Sequence, residues 1–145
     1  MFIKQLSVFV ENKKGRLAEI TAILAEKGIN IHALSIADTT DFGILRLIVA
    51  DPGAACAILK SADIMVKETD VLAVSLIHEP GALSAALKAL EDNDISIEYM
   101  YAFTSRSAGH DAMVILRLND QEEAVKKLTG AGIKFITPEI IKGLE

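Results

Sequence analysis

The sequence predicts an α+β fold made of two βαββαβ units, each an antiparallel four-stranded sheet with two helices on one face. Three observations carry this expectation. The chain repeats itself: Lys14-Gly15-Arg16-Leu17 and Gly28-Ile29-Asn30-Ile31 return 66 residues later as Pro80-Gly81-Ala82-Leu83 and Asp94-Ile95-Ser96-Ile97. Self-similarity at a fixed offset marks copies of one structural unit. Each copy passes through period-2 and helical apolar patterns in the same order. Finally, each copy places an Asp helix-start signal after its third strand pattern, Asp51 in the first and Asp120 in the second.

The elements follow in chain order. Leu6, Val8 and Val10 alternate with Gln5, Ser7 and Phe9 as a strand, and Glu11 to Gly15 forms a polar loop. Leu17, Ile20, Ile23 and Leu24 lie on one helical face, with Arg16, Glu19 and Glu26 on the other. Gly28 stops that helix. Ile29 to Ala37 is a second strand, Asp38 to Phe42 a connection and Ile44 to Ala50 a third strand. Asp51-Pro52 combines a capping side chain with proline at the first helical position, so Gly53 to Ser61 reads as a short helix. Ile64 to Glu68 closes the first copy as a strand.

The second copy runs Val71 to His78 (strand), Ala82 to Asn93 (helix), Ile95 to Thr104 (strand) and Ala112 to Leu118 (strand). A helix from Asp120 to Thr129 and a short strand from Lys134 to Ile136 complete it, and Pro138 to Glu145 is a tail without assigned structure. Ile-Leu-Arg-Leu occurs at 44–47 and again at 115–118, whereas the caps Asp51 and Asp120 imply an offset two residues shorter. Both registers preserve strand parity. Either one lengthens the connection at Ser105 to Asp111.

Hairpin and crossover rules leave the ferredoxin-like arrangement as the natural solution, with the first and third strands of each copy central. Those strands are apolar on both faces, so the face away from the helices should be covered at least in part. The predicted units are 1–69 and 70–145, joined by nothing longer than Thr69-Asp70.

Bulk composition bounds the function. Halves of roughly 70 residues lie near the lower limit for independent folding. With 51% hydrophobic residues the chain has apolar surface to cover, and a homo-oligomer, most simply a dimer, would cover it. Net charge is −5 and no basic run occurs, which argues against nucleic acid as a partner. No apolar stretch reaches bilayer length, so no membrane partner is expected. One cysteine, Cys56, permits no intrachain disulfide, and the Met-Phe-Ile-Lys-Gln start lacks a basic signal-peptide region. These readings place the protein in the cytoplasm. His32, His78, His110 and Cys56 have no metal-ligand spacing, so no metal and no cofactor are expected.

A strand, then Glu-Asn-Lys-Lys-Gly-Arg-Leu, then a helix ending in Glu-Lys-Gly-Ile-Asn-Ile, resembles the ACT domain of amino-acid-responsive proteins. His-Glu-Pro-Gly-Ala-Leu with Asn-Asp-Ile-Ser-Ile-Glu-Tyr resembles the same module. The resemblance covers Lys4 to Ile136 and points to a free-standing tandem ACT protein. It implies an amino acid or related small carboxylate bound at an interface between ACT units, with no catalytic residue. The loop asparagine of serine-sensing modules falls on Asn12, the second-strand asparagine on Asn30 and the loop glycine on Gly15 and Gly81. Lys14, Arg16 and Leu17 flank the first turn. In the second copy His78, Ala82, Leu83 and Ser96 occupy the corresponding places. Lys14 stands where the family has proline, and His78 and Ser96 replace the two asparagines. The physical reading agrees: a glycine turn opens free helix N–H groups toward a carboxylate, and amide side chains both donate and accept.

Three function classes stand side by side. The first is a ligand-binding regulator acting through assembly or a partner. The second is a non-binding regulatory subunit of a metabolic enzyme, and the third an acylphosphatase-like hydrolase using Arg16 and Asn12. The sequence favours the first. Tyr99, Tyr101 and Phe103 alternate on one strand face and read as packing or interface residues.

Overall fold

The computed structural model describes residues 2–11, 13–38, 41–104 and 111–144. Among these it contains seven strands and five helices: β1 (Ile3–Glu11), α1 (Arg16–Glu26), β2 (Ile31–Asp38), β3 (Phe42–Val49), α2 (Pro52–Ser61), β4 (Val66–Leu76), α3 (Ala82–Glu91), β5 (Ile97–Thr104), β6 (Ala112–Leu118), α4 (Gln121–Gly130), β7 (Lys134–Phe135) and α5 (Pro138–Lys142). The predicted α+β class and the doubled βαββαβ order are both present.

The chain divides into two compact units. The N-terminal unit holds Lys4–Thr69 and also α5; the C-terminal unit holds Asp70–Thr137 and also Phe2 and Ile3. The division falls between Thr69 and Asp70, and each end of the chain groups with the opposite half. The physical reason is local. Phe2 packs against the C-terminal core, and α5 withdraws Ile141 from solvent. The expected pair of separate strands around Thr69-Asp70 is a single strand, β4. Neither Thr69 nor Asp70 forces a turn. The Asp70 carbonyl accepts Arg117 Nη1 at 2.8 Å and Gln121 Nε2 at 3.1 Å, so side chains satisfy its backbone at that point.

In the N-terminal unit β1 and β3 pair antiparallel, with Val8 opposite Leu45, and β2 lines the far side of β3. The leading residues of β4 follow β1, where the Phe9 N–H donates to the Met65 carbonyl at 2.9 Å. In the C-terminal unit β6 lies between β4 and β5, and β7 pairs with β4. The first and third strands of each copy are therefore central. Val74 stands opposite Val114 as Val8 stands opposite Leu45. This fixes an offset of 69 residues for the third strand, in step with the caps. The repeated Ile-Leu-Arg-Leu is thus two residues out of structural register. The longer connection expected at Ser105 to Asp111 lies almost wholly outside the described residues.

Each core is one sheet face under two helices. Ile20 and Leu24 of α1 and Ala55 and Leu59 of α2 meet Leu6, Val8, Leu45 and Leu47. Ala86 and Leu90 of α3 and Ala124 and Leu128 of α4 meet Leu72, Val74, Val114 and Leu116 in the same manner. The opposite face is also withdrawn from water. Ile48, Val71, Ala73, Met113 and Ile115 are all buried there, as are Gln5 and Ser7. Gln5 Nε2 donates to Ser7 Oγ at 3.1 Å, and Ser7 Oγ shares a hydrogen bond with Thr69 Oγ1 at 3.0 Å. A buried polar group is tolerated when it is bonded in this way.

The unassigned tail after Thr137 forms α5, with Pro138 in its first position. Five residues are too few for a helical period to be legible.

Candidate functional site

Two glycine turns are built alike. Gly15 stands immediately before α1 with φ 85°, and Gly81 immediately before α3 with φ 92°. This is the left-handed region that glycine alone enters without strain. A β-carbon at either position would meet nothing within 4 Å, so the backbone angle and not crowding demands glycine. Neither helix start has a side-chain cap. The starts of α2 and α4 differ, because Asp51 and Asp120 accept the N–H groups of Ala54 and Glu123 at 3.1 Å. In each unit the uncapped helix is the one that follows the glycine turn. The turn itself takes the first N–H, Arg16 donating to the Lys13 carbonyl at 3.2 Å and Ala82 to the Glu79 carbonyl at 3.4 Å, so a ligand at the turn would meet the N–H groups that follow.

A cavity lies beside each turn. The one at Gly15 measures about 160 Å³ and the one at Gly81 about 430 Å³. Every wall position described at the first cavity has its counterpart at the second, which adds His78, Ala82 and Phe103. Val10, Glu11, Lys13, Leu17, Ile36 and Leu45 in the first are replaced by Leu76, Ile77, Glu79, Leu83, Ala102 and Val114 in the second. Strand pairing supports the match, since Ile36 stands opposite Leu45 and Ala102 opposite Val114. Leu17 and Leu83 are each 38% exposed, so each leaves an apolar side chain at its cavity.

The polar groups at the two rims differ. Lys13 Nζ lies 2.8 Å from Glu11 Oε2. The hydrogen bond from Lys13, reinforced by its charge, holds the Glu11 carboxyl below the usual carboxylate range. A lowered folded pKa contributes stability above the ordinary carboxylate pKa, and that contribution is lost as pH falls through the lowered value. Both side chains are exposed, so the effect on stability is small. We expect the Glu11 carboxyl carbon, followed by NMR, to titrate below a free glutamate and to move up in Lys13→Ala. An unmoved midpoint would remove the pair from the rim's electrostatics. At the corresponding rim of the C-terminal unit, His78 and Glu79 border the cavity with Ile77.

The predicted site residues separate into groups. Gly15, Leu17, Gly81, Ala82, Leu83 and His78 lie at the turns or on the cavity walls. Lys14 is exposed, and its neighbour Lys13 lines the cavity instead. Arg16 Nη1 is held by Glu19 Oε2 at 3.0 Å. Asn12 lies outside the described residues. Asn30 is exposed just before β2. The glycine turn follows β1 at Glu11, which pairs with Phe42, next to the far end of β2. Eight residues of strand rise put Asn30 roughly 25 Å along the sheet from that end. Ser96 occupies the same place before β5, where its N–H donates to Asn119 Oδ1 at 2.9 Å. It borders a different hollow with Leu87 and Leu90 of α3.

Sequence reading missed the wall residues Lys13, Ile36, Glu79 and Ala102. The 66-residue offset pairs these positions between the copies but does not show that they face a cavity.

Among the described residues no cluster of His, Cys, Asp or Glu is placed to hold a metal ion, and no helix is long and apolar enough to cross a membrane. The chain is similar to protein BT0572 from Bacteroides thetaiotaomicron, with 39% identity and a TM-score of 0.91 over 98% of this chain and 96% of that one. It shares its fold with the regulatory subunit of aspartate kinase from Thermus thermophilus, at 18% identity and a TM-score of 0.60 over 88% and 91% of the two chains. It is 24% identical over 94 residues to the acetolactate synthase small subunit of Buchnera aphidicola subsp. Baizongia pistaciae (strain Bp). That match covers 65% of this chain and 59% of the relative, so the chain spans less than two thirds of that protein's length. The ACT domain pair family matches residues 1–143, and with the doubled fold and the paired glycine turns this establishes that the chain belongs to the ACT domain pair family.

Proposed function

We propose that the protein is a regulatory small-molecule-binding protein. Its ligand, an amino acid or related small carboxylate, sits against a glycine turn and signals through assembly or a partner. The observation that carries this reading is the recurrence, in both units, of a positive-φ glycine, an uncapped helix start and an adjoining cavity. Such a turn brings backbone N–H groups to a carboxylate while the cavity accepts the rest of the molecule.

Within the N-terminal unit β2 separates Asn30 from the Gly15 turn. Asn30 can therefore contribute to a ligand at that turn only if a second copy of the chain brings it there. This supports binding at an interface and a homo-oligomeric assembly. A ligand there shifts the assembly only by its differential affinity for two arrangements.

A metabolic enzyme as the listener is the reading suggested by the relatives, which are named as a small subunit and a regulatory subunit. The hydrolase alternative needs a free guanidinium at the turn, and Arg16 is engaged by Glu19. We therefore read the chain as non-enzymatic.

Thermal unfolding against the common amino acids and small carboxylates, with solution mass measured in parallel, tests this reading. A ligand at 100 times its Kd adds about 2.7 kcal/mol, which raises Tm by roughly 5–10 °C for a chain of this size. Gly81→Val, which forces a branched residue into positive φ, should abolish that rise. No response to any compound would leave only a scaffold.

A further inference from the structure

The two cavities stand at equivalent places in the two repeats, yet they differ in size and in rim charge. The N-terminal one is about 160 Å³, below the ~300 Å³ at which small-molecule pockets begin. The C-terminal one, at about 430 Å³, lies within that range. Of the paired wall positions, Ile36 against Ala102 is the one where the second unit has lost most side-chain bulk. Both stand on the outer strand of their sheets, at matching register, over the central-strand residues Leu45 and Val114. Ile36 narrows the first cavity; Ala102 opens the second.

The charges differ too. Glu11 and Lys13 of the first rim neutralise each other at 2.8 Å, so a ligand there must displace an ion pair. In the second, Ile77 replaces Glu11 and adds apolar surface, while Glu79 replaces Lys13 and reverses the charge. Among the described residues Glu79 forms no ion pair, so its carboxylate can receive an ammonium group. The wall behind it is apolar: Leu76, Leu83, Phe103 and Val114 contribute aliphatic and aromatic surface.

Resting on the proposed function above, we infer that the units are non-equivalent receptors. The cavity at the Gly81 turn takes an amino acid with an apolar side chain, one molecule per chain, and Ala102 sets the size of side chain admitted. The ammonium group meets Glu79, the carboxylate faces the start of α3, and the side chain enters between Leu83 and Val114. The cavity at the Gly15 turn is too small for this ligand because of Ile36, and its rim lacks an unpaired carboxylate for the ammonium group.

Isothermal titration of the full chain decides this, with leucine, isoleucine, valine, methionine and phenylalanine set against serine, aspartate and lysine. The expected result is binding of apolar amino acids at one equivalent per chain. Ala102→Ile should weaken it at least tenfold, whereas Ala102→Ser, of nearly unchanged volume, should keep it. Isoleucine is a good strand residue at an exposed position, and circular dichroism checks that the variant is folded. Two equivalents per chain, preference for polar amino acids, or binding indifferent to Ala102→Ile would overturn this inference while leaving a ligand-binding regulator. Absence of binding by all eight would overturn the inference; the proposed function falls with it only if the thermal screen of the remaining amino acids and small carboxylates is also silent.

Discussion

Ile115→Ala is expected to lower the unfolding free energy of the C-terminal unit by about 2–5 kcal/mol, the range for emptying a buried aliphatic position. Leu116→Ala, next to it on β6, should cost a similar amount. The two side chains point to opposite faces of the strand. Leu116 faces α3 and α4 within the core, and Ile115 faces away from them. On a sheet whose face away from the helices is wet, Ile115→Ala would change stability by no more than ~0.5 kcal/mol. Here Ile115 is fully buried, with Met113, Val71 and Ala73 buried on the same side. The chain contains two tyrosines and no tryptophan, and Tyr99 and Tyr101 both belong to β5. Tyrosine fluorescence during urea unfolding therefore reports the C-terminal unit by itself. A loss near zero for Ile115→Ala would show that this face is solvated.

Ser7→Ala is expected to cost about 1–3 kcal/mol through the N-terminal unit, because it removes one hydrogen-bond partner of the buried Gln5 and one of the half-buried Thr69. The Ser7 hydroxyl accepts from Gln5 Nε2 and shares a hydrogen bond with Thr69 Oγ1. Gln5 is fully buried and Ser7 nearly so, which leaves little room for water to substitute. Adding Thr69→Val removes one of the stranded groups and should recover part of the loss. The double variant is therefore expected to cost less than the two single losses together. Urea unfolding followed by far-ultraviolet circular dichroism measures all three variants. Strict additivity would show that Ser7 and Thr69 are not coupled.

Much of the fold was legible because the local signals agree with one another. Asp51 and Asp120 are capping residues in sequence and in structure. The apolar stripe of Ile20 and Leu24 returns as Ala86 and Leu90, buried in the same manner. The repeated Ile-Leu-Arg-Leu misled because identity of letters is not identity of place. Val8 opposite Leu45 and Val74 opposite Val114 set the register, and strand pairing is a property of two segments that neither carries alone. The site was half legible. Gly15 and Gly81 are visible in sequence because a positive φ selects glycine. Ile36 and Ala102 are not, because nothing in one strand says which of its side chains will stand over a cavity.

By itself the sequence determined the repeat, the order and type of the elements, the two capped helices and the two uncapped glycine turns, since each depends on residues close together along the chain. Only the tertiary structure decided that the chain ends group with opposite halves, that Asn30 stands away from the Gly15 turn, and that two equivalent cavities differ in volume and rim charge. Those outcomes depend on which distant side chains share a space, and burial and cavity volume are set by packing rather than by local conformational preference.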